Sequence, residues 1–203
     1  SEGPKVVQHI DERRLEVDLE YRFRYVAEYI GFGEEDERAI HEASELTLPL
    51  VPKIVDALYD AFHRHDATWR HFLSRQQGKP DFGASLDRRL NELTLDHAMV
   101  KTRKHSLGRY FVRLMTQPYD AAMIQYMDAM GRIHKAETHR ARLDVPLVQM
   151  NAFLGQLADV MFTLIHGLEL DPAREHALIR AYSKVFWLQN DIVSRHYLRL
   201  ERP

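Results

Sequence analysis

The amino-acid sequence predicts an all-α protein, and three observations support this fold class. Apolar residues recur at spacings of three and four along most of the chain, which is the period of one face of an α-helix. The alternation of apolar and polar residues that is typical of strands is absent, as are internal repeats and low-complexity segments. Proline and glycine stand between the periodic segments, where helices begin and end. We therefore expect one all-α domain over residues 1–203.

The N-terminal part of the chain predicts a helix ahead of the main bundle. The charged segment 11–30 keeps an apolar residue at every third or fourth position: Leu15, Leu19, Phe23, Val26 and Ile30. The glycines of "GFG" at 31–33 end this helix. The acidic run at 34–37 suits the first turn of the next helix, because carboxylates are favoured at a helix N-terminus. We assign residues 1–30 to an N-terminal extension with its own helix and residues 34–200 to the core.

Prolines and an aspartate predict where the later helices begin. Pro52 follows a break and opens a helix with an apolar stripe, and Pro146 starts a long apolar helix. Asp171 and Pro172 have the N-cap and first-turn chemistry of the last helix. The predicted helices after residue 50 span about 51–62, 67–73, 86–95, 96–115, 118–139, 146–170 and 171–199.

Composition excludes several classes of function. The chain has no cysteine, which excludes disulfides, thiolate catalysis, zinc–cysteine sites and iron–sulfur clusters. The formal net charge is −2 with both signs scattered, so no electrostatic feature favours nucleic acid or an acidic membrane. The most apolar stretch, 145–170, is interrupted by polar side chains such as Gln149 and Asp159, which a bilayer disfavours. We expect a cytoplasmic protein with neither nucleic acid nor a membrane as partner.

Common catalytic motifs are absent from the sequence. It contains no HExxH, no Glu-x-x-His pair, no GxGxxG, no P-loop and no GxSxG. Zinc proteases, di-iron centres, nucleotide-binding sites and hydrolases therefore lack their usual local signals. Ligation by a single histidine stays open, because the porphyrin supplies four of the ligands of haem iron.

One such histidine stands at the end of a stripe of methionines. In a helix over "QYMDAMGRIHKAETHR" (125–140), Met123, Met127, Met130 and His134 share one face. An imidazole in this position suits ligation of haem iron. A histidine on an apolar face is, however, more often a hydrogen-bonded core residue. From these residues alone, both interpretations stay open.

Five segments of the chain resemble the protoglobins and the sensor domains of globin-coupled sensors. They are "YIGFGEEDERAI", "LPLVPKIVDALYDAF", "PYDAAMIQYMDAMGRIH", "DVPLVQMNAFLG" and "FWLQNDIVSRHYL", in the order found in the family. The resemblance covers most of residues 21–198 and is weakest at 75–96. It implies a globin-like fold of the protoglobin type, with an extra N-terminal helix preceding the A helix. It also implies a haem b cofactor that binds the diatomic gases O2, CO and NO reversibly.

The resemblance also implies roles for particular residues. His134 falls at the family's proximal haem ligand, with the methionine stripe packed beneath the porphyrin. Tyr59 matches the distal tyrosine, whose phenol can donate a hydrogen bond to a bound gas. Leu107 falls at an apolar distal position on the E helix. Further residues implied to line the haem pocket are Trp69, Phe72, Phe111, Met130, Phe153 and Leu157.

Several alternatives stay open beside this interpretation. His139 is a second candidate for the iron ligand, and His105 or His97 could supply a sixth ligand. A haem-free helical interaction or regulatory module, with His134 simply packed, is the rival class of function. Enzymatic turnover by the haem is expected to be incidental, because no distal pair of histidine and arginine suited to peroxide cleavage is evident.

The resemblance further implies an assembly state. In the family, the last two long helices commonly pair across a two-fold axis, so we expect a homodimer through residues 145–170 and 175–198. Ala152, Gly155 and Ala158 would permit a close approach of helices there. The chain stops about where the globin ends, which favours a free-standing globin over the excised sensor domain of a longer signalling protein.

Overall fold

The computed structural model describes residues 6–70, 88, 91–134 and 145–198, and for Ile133 and His134 it describes the backbone alone. All regular secondary structure in these residues is helical, which confirms the predicted fold class. The helices are α1 Glu12–Val17, α2 Leu19–Ile30, α3 Glu34–Glu42, α4 Ser44–Thr47, a 3-10 turn Leu48–Leu50, α5 Val51–His63, α6 Asp66–Trp69, α7 Ala98–Thr116, α8 Ala121–His134, α9 Leu147–His166 and α10 Pro172–Leu198.

The N-terminal segment forms two helices, so the prediction of one helix over 11–30 was wrong at Asp18. This residue lies between α1 and α2 in extended backbone, and its carboxylate accepts a hydrogen bond from the Tyr21 amide as the N-cap of α2. Aspartate is favoured at helix N-caps over helix interiors, which explains the break. Gly31 ends α2 with a φ of 73°, a left-handed conformation that favours glycine.

The last helix, α10, lies at the centre of the bundle and packs against α2, α3, α8 and α9. Asp171 caps it by accepting from the amide of Ala173, and Pro172 is its first residue, as the sequence predicts. The Arg22 guanidinium on α2 makes two hydrogen bonds to Asp191 on α10, at 2.7 and 2.8 Å. These contacts place the N-terminal helices against the centre of the fold.

The helix α9 is long and apolar enough, by length and composition alone, to cross a membrane. In this fold it packs against α5 and α10, and one side of it lies in the core. The buried residues on that side are Met150, Leu154, Leu157, Met161 and Ile165. The core helix of a soluble protein can have the same length and composition, so these two properties do not imply a membrane span. Pro146 directly precedes the helix, as predicted.

Candidate functional site

A cavity of about 420 Å³ lies where α5, α7, α8, α9 and α10 meet. Its volume is in the range of pockets that hold small molecules and cofactors. Most of its wall is apolar, with contributions from every one of these helices. The apolar lining includes Phe62, Leu107, Met130, Phe153, Leu154 and Leu157. Four of the residues proposed from the sequence are among these apolar side chains: Leu107, Met130, Phe153 and Leu157.

Tyr59, on α5, also lines the cavity and is 4% exposed. Its ring centroid lies 5.2 Å from that of Phe62, which in turn lies 5.5 Å from that of Phe153. Burial raises the pKa of the Tyr59 phenol well above its usual value, and the charge of Arg103 offsets part of this increase. The phenol therefore keeps its proton at neutral pH and can act as a hydrogen-bond donor.

The helix α7 turns one face to the cavity. Arg103, Leu107 and Tyr110 follow each other at spacings of four and three residues, and all three line the cavity. Arg103 was not among the residues proposed from the sequence, although it lines the cavity. The available signal was its spacing, because a residue four positions before Leu107 lies on the same side of the helix.

The helix α8 contributes Tyr126 and Met130 to the cavity wall. Met123 and Met127 are 1% and 0% exposed and belong to the hydrophobic core, outside the set of residues that line the cavity. This corrects the expectation that the whole methionine stripe packs beneath one ligand. Met123 and Met127 pack against neighbouring helices in the core, whereas Tyr126 and Met130 face the cavity. His134 is the last residue of α8, one turn beyond Met130.

A buried polar chain connects three of the helices around the cavity. The Tyr110 hydroxyl on α7 donates to Oε1 of Gln189 on α10 at 2.7 Å. Gln189 Nε2 then donates to the backbone carbonyl of Met127 on α8 at 3.1 Å. Tyr110 and Gln189 both line the cavity, and each has its polar atoms paired within the wall. These two hydrogen bonds therefore fix the relative positions of α7, α8 and α10.

Other residues proposed from the sequence lie away from the described lining. Trp69 is 3% exposed, and its Nε1 donates to the Leu93 carbonyl at 2.9 Å. Phe111 is fully buried in the core, in edge contact with the Tyr110 ring at 5.4 Å between centroids. Phe72 and His139 lie outside the described residues.

The two histidines considered as a sixth ligand also lie elsewhere. His97 is the N-cap of α7, and its Nδ1 accepts from the Met99 amide at 3.2 Å. His105 is exposed and borders a separate groove between α5 and α7. Among the described residues, the cavity lining contains no histidine.

The charges around the cavity suit an apolar ligand with acidic groups. The lining, as far as the chain is described, includes the cations Arg103 and Arg109 and no carboxylate. The described residues also contain no group of three or more histidine, aspartate or glutamate side chains that could hold a bare metal ion. Haem b, a flat apolar macrocycle with two propionates, needs only one protein ligand to its iron. The apolar lining therefore fits the macrocycle, and the two arginines fit its propionates.

Comparisons with known proteins agree with this fold. The family model described as Protoglobin matches residues 19–202. The globin domain of a Geobacter sulfurreducens globin-coupled sensor is similar in structure, with a TM-score of 0.61 and 16% sequence identity. That match covers 86% of this chain and 96% of the other. No curated protein sequence matches the chain. At this identity the structural likeness shows the fold, and the family model shows the family.

Proposed function

We propose, for a chain that belongs to the protoglobin family, that the cavity holds haem b with His134 as the iron ligand. Membership of the family implies haem binding and diatomic gases as ligands. We propose further that the particular residues named below hold the haem, and that it binds O2, CO and NO reversibly in the cytoplasm, for gas binding, sensing or detoxification. When bound, the haem supplies the iron at which these gases coordinate.

The observation that carries the proposal is the position of His134 relative to Met130. Met130 lines the cavity, and residues four apart on a helix lie on the same face. Position 134 follows Met130 by one turn of α8, and this spacing supports a His134 side chain that would reach the cavity. Ligation through Nε2 would leave Nδ1–H for a carbonyl or carboxylate acceptor, which would orient the ring.

The other lining residues have roles that follow from their chemistry. The apolar side chains of Leu107, Phe153 and Leu157 would exclude water from the faces and edge of the macrocycle. The protonated Tyr59 hydroxyl would donate a hydrogen bond to a bound gas. Arg109 is the exposed cation of the lining and would pair with a propionate.

The proposal is tested by the absorption spectrum of purified protein supplied with haem, in the ferric and then the ferrous state. We expect His134→Ala to lose or shift the Soret band. The matched control is His105→Ala, since His105 lies outside the cavity, and its spectrum should equal that of the wild type. Ferrous bands of five-coordinate iron are expected, because neither His97 nor His105 lines the cavity.

Two results would contradict the proposal in different ways. A wild-type protein that takes up no haem would leave the haem-free interaction module as the function. Uptake with an unchanged spectrum in His134→Ala would instead reassign the ligand, and His139→Ala would then be the next variant.

We further infer that the protein forms a homodimer through residues 145–170 and 175–198. One side of α9 lies outside the core, and Val148 on this helix is 67% exposed. Gly155 lies on the open side, where an added Cβ would meet nothing within 4 Å. Trp187 on α10 is 64% exposed. An apolar surface of this kind is typical of a protein interface.

Light scattering tests the dimer against the chain mass of 23.9 kDa. We expect the wild type at twice this mass at micromolar concentration. Gly155→Arg should yield the monomer, because a charged side chain would stand in the interface. Tyr29→Arg, a substitution at an exposed position on α2, is the matched control and should stay dimeric. A wild-type monomer at this concentration would contradict the inference.

A further inference from the structure

Two tyrosines in the cavity wall stack on each other. Tyr110 on α7 and Tyr126 on α8 both line the cavity, and their ring centroids lie 6.1 Å apart with an angle of 27° between the rings. This separation is within the range of packed aromatic pairs. Tyr110 is 6% exposed, whereas Tyr126 is only half-buried and lies beside the exposed Arg109. The pair therefore connects the buried part of the wall to the surface through aromatic rings.

The two phenols differ in where their protons can go. The Tyr110 hydroxyl donates to Oε1 of Gln189 at 2.7 Å, and a side-chain amide is not a base that takes up a proton. Burial raises the pKa of the Tyr110 phenol. Burial also raises the pKa of Tyr126, but the charges of Arg113 and Arg109 offset part of this increase. Of the two residues, Tyr126 is the one that can release its proton to water.

The charge above the Tyr126 ring favours loss of that proton when the ring is oxidised. The guanidinium of Arg113 lies over the ring, with Cζ 4.0 Å from the centroid. This contact stabilises the neutral ring, whereas the same charge would repel a ring that has lost an electron and kept its proton. Oxidation of Tyr126 should therefore remove one electron and one proton together and leave a neutral phenoxyl radical.

We propose that Tyr110 and Tyr126 carry oxidising equivalents from the cavity to the surface, where Tyr126 oxidises small phenols with hydrogen peroxide as the oxidant. The inference rests on the proposed function, because bound haem would supply the site at which peroxide is reduced. Tyr126 gives up one electron and one proton, and a phenol from solution restores it by giving one hydrogen atom. Two such rounds break the O–O bond of one peroxide and form two waters, so each peroxide converts two phenols to phenoxyl radicals.

The helix α2 provides a matched pair of tyrosines away from the cavity. The ring centroids of Tyr25 and Tyr29 also lie 6.1 Å apart, and Tyr29 is 79% exposed. Neither residue is among those that line the cavity. Tyr29→Phe therefore removes a phenol that is more exposed than that of Tyr126, but leaves the proposed path in place.

Electron paramagnetic resonance tests the inference on ferric, haem-loaded protein that is frozen shortly after hydrogen peroxide is added. We expect a tyrosyl radical in the wild type and in Tyr29→Phe, and its loss in Tyr126→Phe. Tyr110→Phe should lower the yield of the radical, because the ring next to Tyr126 is then much harder to oxidise. Oxidation of guaiacol, a small phenol, should fall together with the radical signal. The absorption spectrum of the haem should be the same in Tyr126→Phe as in the wild type, which separates this role from a structural one.

A nitroso spin trap followed by peptide mapping locates the radical in the wild type. We expect the adduct on Tyr126, and this readout decides even if Tyr126→Phe fails to fold. An adduct on Tyr29 or Tyr59 in place of Tyr126 would overturn the inference, as would a radical of wild-type yield in Tyr126→Phe or in Tyr110→Phe. Equal loss of signal in Tyr29→Phe and Tyr126→Phe would show unspecific oxidation of surface tyrosines and would also overturn it.

The absorption spectrum of the wild type separates failure of this inference from failure of the proposed function. A wild type that takes up no haem would overturn both together. Haem uptake without a tyrosyl radical after addition of peroxide would overturn the inference alone.

Discussion

The Asp128 carboxylate on α8 accepts a hydrogen bond from the Arg195 guanidinium on α10, with Oδ1 and Nη2 2.9 Å apart. Their side chains are only 6% and 9% exposed. His196 Nε2 donates to the same oxygen at 2.7 Å, and Arg132 lies 3.1 Å from the other. Asp128 precedes Met130 by two residues, so this buried cluster holds the end of α8 that carries His134 against α10.

Removal of the carboxylate charge should destabilise the fold. Asp128→Asn leaves Arg195 buried without its anion, and breaking a buried ion pair by removal of one partner costs roughly 3 kcal/mol. We expect a decrease of about this size in the free energy of unfolding, measured by urea denaturation at pH 7. The control is Arg24→Gln in the exposed pair with Glu20, where the change should stay below about 1 kcal/mol. Equal effects of the two substitutions would contradict the role of the buried cluster.

The contribution of Asp128 should depend on pH. Burial alone would raise the pKa of this carboxyl, but the hydrogen bonds and charges of Arg195 and His196 outweigh burial and hold it below its ordinary value of 3.8. A carboxyl with a lower pKa in the folded state contributes stability above its ordinary pKa, and loses it as the pH falls through the folded value. The difference in unfolding free energy between wild type and Asp128→Asn should therefore shrink from about pH 5 downwards. A difference that is the same at pH 3 and pH 7 would refute this account.

The contact of α8 with α10 depends on a glycine. A Cβ at Gly131 would lie 3.3 Å from the Val193 backbone Cα and 3.2 Å from the His196 ring. Gly131→Ala should lower the unfolding free energy by about 1 kcal/mol, because the shift of these atoms costs about 1–3 kcal/mol and exceeds the helix preference of alanine, which is up to about 1 kcal/mol. At Gly108 on α7, an added Cβ meets only ordinary contacts at 3.6 and 3.9 Å. Gly108→Ala should instead raise the melting temperature, because alanine favours helix by up to about 1 kcal/mol. A stabilising effect at Gly131 would rule out the close approach.

Tyr110 and Gln189, which are joined by a buried hydrogen bond, should contribute to the unfolding free energy as a coupled pair. Tyr110→Phe leaves the Gln189 oxygen buried without a donor, which costs about 1–3 kcal/mol. The double variant with Gln189→Leu should cost less than the sum of the two single substitutions, because the unpaired oxygen is then absent. A thermodynamic cycle from urea unfolding measures this coupling, which we expect at about 1 kcal/mol. Additive effects would show that the two residues contribute independently.

Local sequence patterns were sufficient to locate most helices and to indicate the family. Pro146 and the pair of Asp171 and Pro172 stand where α9 and α10 begin, because their backbone and capping preferences act within a few residues. Asp18 was misjudged for a related reason. Its capping preference competed with an apolar period that continues through it, and the cap prevailed.

The composition of the cavity wall was decided by the tertiary structure. The spacing of apolar residues along α8 correctly predicted that Met123 and Met127 are buried. A helix that contacts several neighbours, however, buries side chains on more than one of its faces. Which residues face the core, as Met127 does, and which face the cavity, as Met130 does, depends on where the other helices lie. Arg103 shows the same limit, since only the arrangement of α5, α7 and α9 around one space makes a charged residue part of an apolar cavity.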